Sequence, residues 1–171
     1  MLDADLGLLY GELLRDEVVV VFGVLLEELV DVLDSKRIPV NAADRASRRG
    51  SIPYYGATGQ VDTIDEALFD EPLVLLGEDG VQFFDANKSK AYAITGPSWV
   101  NNHAHVLKPN RQKLLDSWLT HFLVASDLSD FITGVTVPKL NQAKMREIEV
   151  PLPPDRKSTR LNSSHANISY A

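Results

Sequence analysis

Cysteine is absent from all 171 residues, which removes disulfides, thiolate zinc sites and cysteine nucleophiles from consideration. Long apolar runs are missing as well. The longest, Val18 to Phe22 and then Val24 to Leu26, is interrupted by Gly23 and bounded by Glu17 and Glu27, well short of the roughly 20 residues that a membrane-spanning helix needs. The residues before it are acidic where a secretory signal is positive, so a cytoplasmic location is expected. Catalytic signatures are scarce too. There is no Gly-x-Ser-x-Gly turn, no cofactor-binding glycine turn after a strand, and no Asn/Asp-Pro-Pro-aromatic loop of a methyltransferase. The acids between Asp62 and Asp79 fail the spacing of a calcium loop, because alternate positions hold Thr63, Ile64 and Ala67.

What the chain does have is an uneven charge distribution. Its net charge is -7, and residues 1–34 carry nine acids against Arg15 alone, so the other 137 residues sum to about neutral. Within that remainder, Asp62 to Asp79 holds seven acids and no base, while segments 36–49 and 85–113 are basic on balance. Such a polarised domain can face an anionic partner on one side while its overall pI stays low. The length suits one ordinary core rather than two.

Leu8, Leu9, Leu13 and Leu14 recur at helical spacing, which predicts a helix over 4–16, and Val18 to Phe22 reads as a strand. Residues 27–34 read as a strand or short helix, and 41–51 as loop. Short apolar runs at Leu73–Leu76, Val81–Phe84 and Ala91–Thr95 predict strands, with hairpin chemistry in Gly77-Glu78-Asp79-Gly80. Trp99-Val100 and His103–Leu107 add strands. The strongest helical pattern covers 111–125, with Trp118 and Phe122 on its core face. Phe83 is also assigned to the core. Asn141 is placed as the N-cap of a turn ending near Arg146, and Ile148–Leu152 as a last strand. Strands and helices without a βαβ rhythm indicate an α+β domain of short mixed strands with a few helices.

The most specified stretch is Gly50-Ser51-Ile52-Pro53-Tyr54-Tyr55-Gly56-Ala57-Thr58-Gly59-Gln60. Its glycines and Pro53 predict a loop of fixed shape through which no periodic element runs. One reading makes it a structural turn. The other makes Tyr54, Tyr55 and Thr58 contacts to phosphate or base, with Lys36, Arg37, Arg45, Arg48 and Arg49 forming an anion-seeking surface beside them. Asn101, Asn102 and His103 are candidate groove contacts, since asparagine pairs with adenine through two hydrogen bonds. The alternative for them is a polar loop satisfied by its own backbone. His103 and His105 would share a strand face, but no third and fourth metal ligand has an obvious spacing, so no metal or cofactor is expected. Lys139 is a further candidate contact. A competing enzyme reading takes Asp34-Ser35-Lys36 as the acid and lysine of a metal-dependent nuclease or other hydrolase.

Three ordered motifs carry a family resemblance: Gly50 to Gly59, Leu75-Leu76-Gly77-Glu78-Asp79-Gly80, and Pro138-Lys139-Leu140-Asn141-Gln142 through Ile148 to Pro154. Over residues 24–154 the chain resembles the target recognition domain of the specificity subunit of type I restriction-modification systems. The resemblance implies a non-catalytic module that reads one half-site of a split double-stranded DNA target. It also implies a longer protein with a spacer helix after each recognition domain, assembled with methyltransferase and restriction subunits. Two segments depart from the pattern. Residues 1–23 form an acidic extension, and 155–171 resemble translated sequencing-adapter read-through where the family continues into its spacer helix. That tail lacks apolar periodicity and is expected to be disordered.

Overall fold

The computed structural model describes residues 22–152 apart from 82, 85–87 and 135. Two compact units are distinguished, residues 24–150 and residues 1–23 together with 151–171. The expected helix over 4–16, nearly all of the strand at 18–22, and the 155–171 tail lie outside the described residues.

Strand β1 (Phe22–Leu25) passes into a single helical turn, α1 (Leu26–Leu29), and the three-residue strand β2 (Val30–Val32). A 3-10 turn over Asp34–Lys36 follows, and then helix α2 (Ala42–Ser47). Helix α2 occupies residues expected to be loop. Its sequence, Ala-Ala-Asp-Arg-Ala-Ser, is short and polar, but Asn41 caps it by accepting from the Asp44 N–H at 2.9 Å. Next come β3 (Ile52–Gly56), β4 (Gly59–Ile64), β5 (Phe69–Asp70), β6 (Leu73–Gly77), β7 (Ala91–Ile94), β8 (Pro97–Val100) and β9 (Ala104–Pro109). Helix α3 (Asp116–Ala125), strands β10 (Ile132–Thr133) and β11 (Lys139–Leu140), helix α4 (Gln142–Arg146) and β12 (Glu149–Leu152) complete the described chain.

The glycine-rich stretch is a β-hairpin, not an aperiodic loop. Pro53 and its β-favouring neighbours Ile52, Tyr54 and Tyr55 extend the chain, and Gly59 turns it with a φ of 142° that other residues rarely adopt. Pairing slips between Tyr54 and Tyr55, so Val61 bulges out of register and is left exposed. The parallel ladder with β8 begins at Tyr54 opposite Trp99, one residue past Pro53, so the missing proline N–H breaks no rung of it.

Two four-stranded sheets result. One has the order β2-β9-β6-β7 and is antiparallel throughout; the other, β4-β3-β8-β5, contains the parallel β3-β8 pair. Between them Leu73, Leu75, Ile94 and Val106 of the first sheet meet Phe69 and Val100 of the second, with Tyr55 and Tyr92 at the margin. The outer face of the second sheet carries its own cluster of Tyr54, Ile64 and Trp99. Alternation along β3 and β8 separates the two cores, because successive side chains point to opposite faces.

Helix α3 packs on β6 and β7 and is shorter than the sequence pattern suggested. Leu119 and Leu123 form its buried stripe, while Trp118 and Phe122 are only half-buried. Lys90, a member of the basic 85–113 segment, is buried; its Nζ donates to the Ser126 carbonyl at 2.6 Å, at the C-terminal cap of α3. A cation there also favours the negative end of the helix dipole. Burial pushes the Lys90 amine down from its ordinary value. Phe83 is buried as expected, but among the described residues of that run Val81 is a bend and Phe83 and Phe84 a turn, and β6 and β7 are not joined by a tight hairpin.

Gly50 is solvent-exposed yet intolerant of a side chain, since a Cβ there would sit 2.3 Å from the Ile64 carbonyl oxygen and 2.4 Å from the Asp65 Cα. Gly50→Ala is therefore expected to lower unfolding stability by about 1–3 kcal/mol. Urea denaturation checks this, and an unchanged midpoint would show that the Gly50 and Ile64 backbones move apart freely.

Candidate nucleic-acid interface

Three arrangements account for most of the sequence-selected residues. The first is a buried ionic hub. Asp34, on the 3-10 turn, accepts from the Val106 N–H at 2.8 Å through Oδ1, and from His105 Nδ1 at 2.6 Å and Gln142 Nε2 at 3.0 Å through Oδ2. Arg37 lies 3.4 Å from the same Oδ2 and donates to Glu78 at 2.7 Å and to the Ala104 carbonyl at 2.8 Å. Lys139 reaches the other Glu78 oxygen at 2.9 Å. His105 is 1% exposed, and its Nε2 faces the Leu140 carbonyl at 2.8 Å.

Arg37 and Lys139, expected on a DNA surface, are thus bound to acids of their own domain. Asp34, the acid of the hydrolase reading, has both oxygens engaged by protein donors, while Lys36 sits exposed at the end of the turn. Asp34, Glu78 and His105 bring potential ligand atoms within 4.8 Å of one another, and Arg37 and Lys139 already meet their negative charge. His105 lies on a strand face as the sequence suggested, but His103 lies in the turn before β9, so the two do not form a strand pair.

The second arrangement is a pair of stacked arginines. The Arg45 guanidinium lies 4.7 Å from the Tyr54 ring centre, and that of Arg48 4.8 Å from the Trp99 ring. Arg45 also donates to Asp62 at 2.9 Å and to the Val40 carbonyl at 2.6 Å; Arg48 pairs with Asp65 and Glu66. The acidic 62–79 segment therefore neutralises arginines that sequence reasoning assigned to phosphate. The Asp62 hydrogen bond raises the Arg45 value, and Arg45 in turn holds Asp62 below the ordinary carboxylate value. Tyr54 is 1% exposed, and its hydroxyl lies 3.3 Å from both the N–H and the carbonyl of Val40. It is core rather than a contact surface. Tyr55 is half-buried against Tyr92, with ring centres 6.0 Å apart, whereas Thr58 is exposed in the hairpin turn. Burial pushes the Tyr92 hydroxyl upward, and that hydroxyl donates to the Gly56 carbonyl.

The third arrangement is an open groove of about 510 Å³, lined by the 39–45 segment, Tyr54 and the loop Asn101-Asn102-His103. Five sequence-selected residues meet here: Arg45, Tyr54, Asn101, Asn102 and His103. The Arg49 side chain is exposed and makes no hydrogen bond or ion pair among the described residues; the same is true of the Lys36 side chain. Sequence reasoning missed the structural roles of Gln142, Asp79, Asp34 and Glu78. Their only signal was the charge balance, since the contacts join residues up to 108 positions apart.

Residues 24–161 match the family described as the type I restriction modification DNA specificity domain. The chain belongs to that family. It is also similar to a curated putative type I restriction enzyme specificity subunit of Haemophilus influenzae, with 35% identity over 129 residues, covering 75% of this chain and 32% of the relative. Among solved structures, the S subunit of a type I restriction-modification system from M. genitalium aligns with a TM-score of 0.67 at 10% identity, over 86% of this chain and 38% of that one. The HsdS subunit from Thermoanaerobacter tengcongensis aligns with a TM-score of 0.55 at 13% identity, over 88% and 37%. At those identities the structural matches establish the α+β fold alone. The specificity-domain chain spans about a third of the length of these relatives.

The hub gives this domain an acid-sensitive element. Burial pushes Asp34 up, but the hydrogen bond and charge of His105, with Val106 and Gln142, hold it below 3.8. Burial likewise raises Glu78, and Lys139, Arg37 and His105 bring it below 4.5. Depressed carboxylates stabilise the fold fully above their unfolded-state values, and that stability is lost as pH falls through the folded-state values. Asp34→Asn is expected to cost about 1.5–3 kcal/mol near neutral pH, because the buried donors of His105, Val106 and Gln142 lose their ionised acceptor. Denaturation curves for wild type and variant should converge as pH falls below the ordinary carboxylate range; a constant gap would show that the charge of Asp34 contributes nothing.

Proposed function

We propose that residues 24–154 form a DNA target recognition domain that reads one half-site of a bipartite target within a type I restriction-modification specificity subunit. Membership of the DNA specificity domain family carries this reading. In it the domain makes and breaks no covalent bond. Methylation and cleavage belong to partner methyltransferase and restriction subunits, in the cytoplasm.

The distribution of free and neutralised charge refines how such a domain would hold a duplex. Arg37, Arg45, Arg48 and Lys139 each have an acidic partner, so bringing them to phosphate means exchanging one anion for another. Lys36 and Arg49 form no ion pair among the described residues, so they are the cations most open to phosphate. The groove offers neutral hydrogen-bonding groups beside them. Docking by a few cations, with recognition through amides and imidazole, fits the low net charge of the chain.

Fluorescence anisotropy with a labelled duplex, in Mg²⁺ and over a range of NaCl, tests this. Binding is expected to weaken with salt and to leave the duplex intact, and Lys36→Ala and Arg49→Ala should each make the log–log salt slope shallower by about 0.9. Hydrolysis of the duplex by the purified chain, or no binding at low salt, would defeat the proposal.

A further inference from the structure

The polar groups around the groove differ in whether their hydrogen-bonding capacity is already used. Arg45 is held by Asp62 and Val40, the Tyr54 hydroxyl by Val40, and the Asn41 side chain by its bonds to Asp44. The loop between β8 and β9 is organised the opposite way, with its backbone tied down and its side-chain ends open. The Asn101 N–H donates to the Tyr55 carbonyl at 3.0 Å, the Asn101 Oδ1 accepts from the His103 N–H at 2.8 Å, and the His103 carbonyl accepts from the Glu78 N–H at 2.9 Å. These bonds anchor the loop to both sheets. Three groups are left over: the Asn101 Nδ2, the whole Asn102 amide, and the His103 Nε2, Nδ1 being held by Asp79. Asn102 has no hydrogen-bond partner among the described residues, and the His103 side chain is 52% exposed.

We infer that Asn102 and His103, presented on this fixed loop, are the base-reading residues of the domain, and that the neighbouring arginines Arg45 and Arg48 are structural. The inference rests on the DNA-recognition reading above and assigns its specificity. A free carboxamide on an immobilised backbone matches the adenine major-groove edge, donating to N7 and accepting from the N6 amino group. With Nδ1 directed at Asp79, the imidazole of His103 presents only Nε2, which limits it to a single contact beside the asparagine. The loop gains discrimination because its geometry is set before the duplex arrives.

Selection from a randomised duplex pool with the full chain tests this, using wild type, Asn102→Ala and His103→Gln. Asn102→Ala changes an exposed side chain without backbone bonds, and its unfolding curve is expected to match wild type. The wild type should enrich one sequence. Asn102→Ala should relax selection at one or two adjacent positions and weaken binding to the enriched duplex by about 5- to 150-fold, with less than about a twofold change for an unrelated duplex. His103→Gln should alter preference at a neighbouring position. Variants that enrich the wild-type sequence with wild-type affinity would overturn the inference while leaving the recognition reading intact. So would an equal loss on enriched and unrelated duplexes by a folded Asn102→Ala, which marks a phosphate contact. A wild type that enriches nothing would instead remove the recognition reading itself.

Discussion

The carboxylate of Asp34, carried by the turn after β2, sits almost out of water against strand β9 and helix α4, and it is accommodated because both of them supply donors. A buried charge left without partners would cost several kcal/mol, so the three elements hold one another in place through it. Arg37 extends the arrangement to Glu78, and Glu78 extends it to Lys139 and, through its backbone, to His103 and Leu140. The start of the 38–45 segment and the loop preceding β9 therefore both depend on this hub. These are the elements that line the groove. Its shape follows from this ion pairing.

The same economy of charge appears on the outer face of the second sheet. Arg45 and Arg48 leave α2 three residues apart, so they lie on one side of it and cover Tyr54 and Trp99 side by side. Asp62, Asp65 and Glu66, at the end of β4 and just beyond, complete their coordination. A basic segment and an acidic segment that look opposed in the sequence are thus two halves of one structure. Little net positive charge remains there for a polyanion.

Loop 101–103 stands out because it reverses the usual relation between backbone and side chain in an irregular segment. Its backbone polar groups bond to Tyr55 in β3 and to Glu78 just past the end of β6, while the amide of Asn102 remains available. A loop of this kind can vary its side chains without disturbing the scaffold, since the scaffold is held by main-chain bonds that any residue supplies. Polar residues on a rigid connector are what a common fold with changeable specificity calls for.

Local chemistry by itself determined much of this protein. Runs of alternating or β-branched residues marked β6, β7, β8, β9 and β12, Asn141 marked the cap of α4, and three motifs in order marked the family, because these signals act through nearest neighbours or fixed spacing. Only the tertiary structure decided which charges were free. Arg37 and Glu78 are 41 residues apart, Asp34 and His105 71, and whether a cation meets a phosphate or a carboxylate depends on sheet register and on which strands become neighbours. The glycine-rich stretch failed as a loop for the same reason. Its glycines seemed to forbid regular structure, but pairing with β8 supplied the hydrogen bonds that made it a strand, and burial under Arg45 made Tyr54 part of the core.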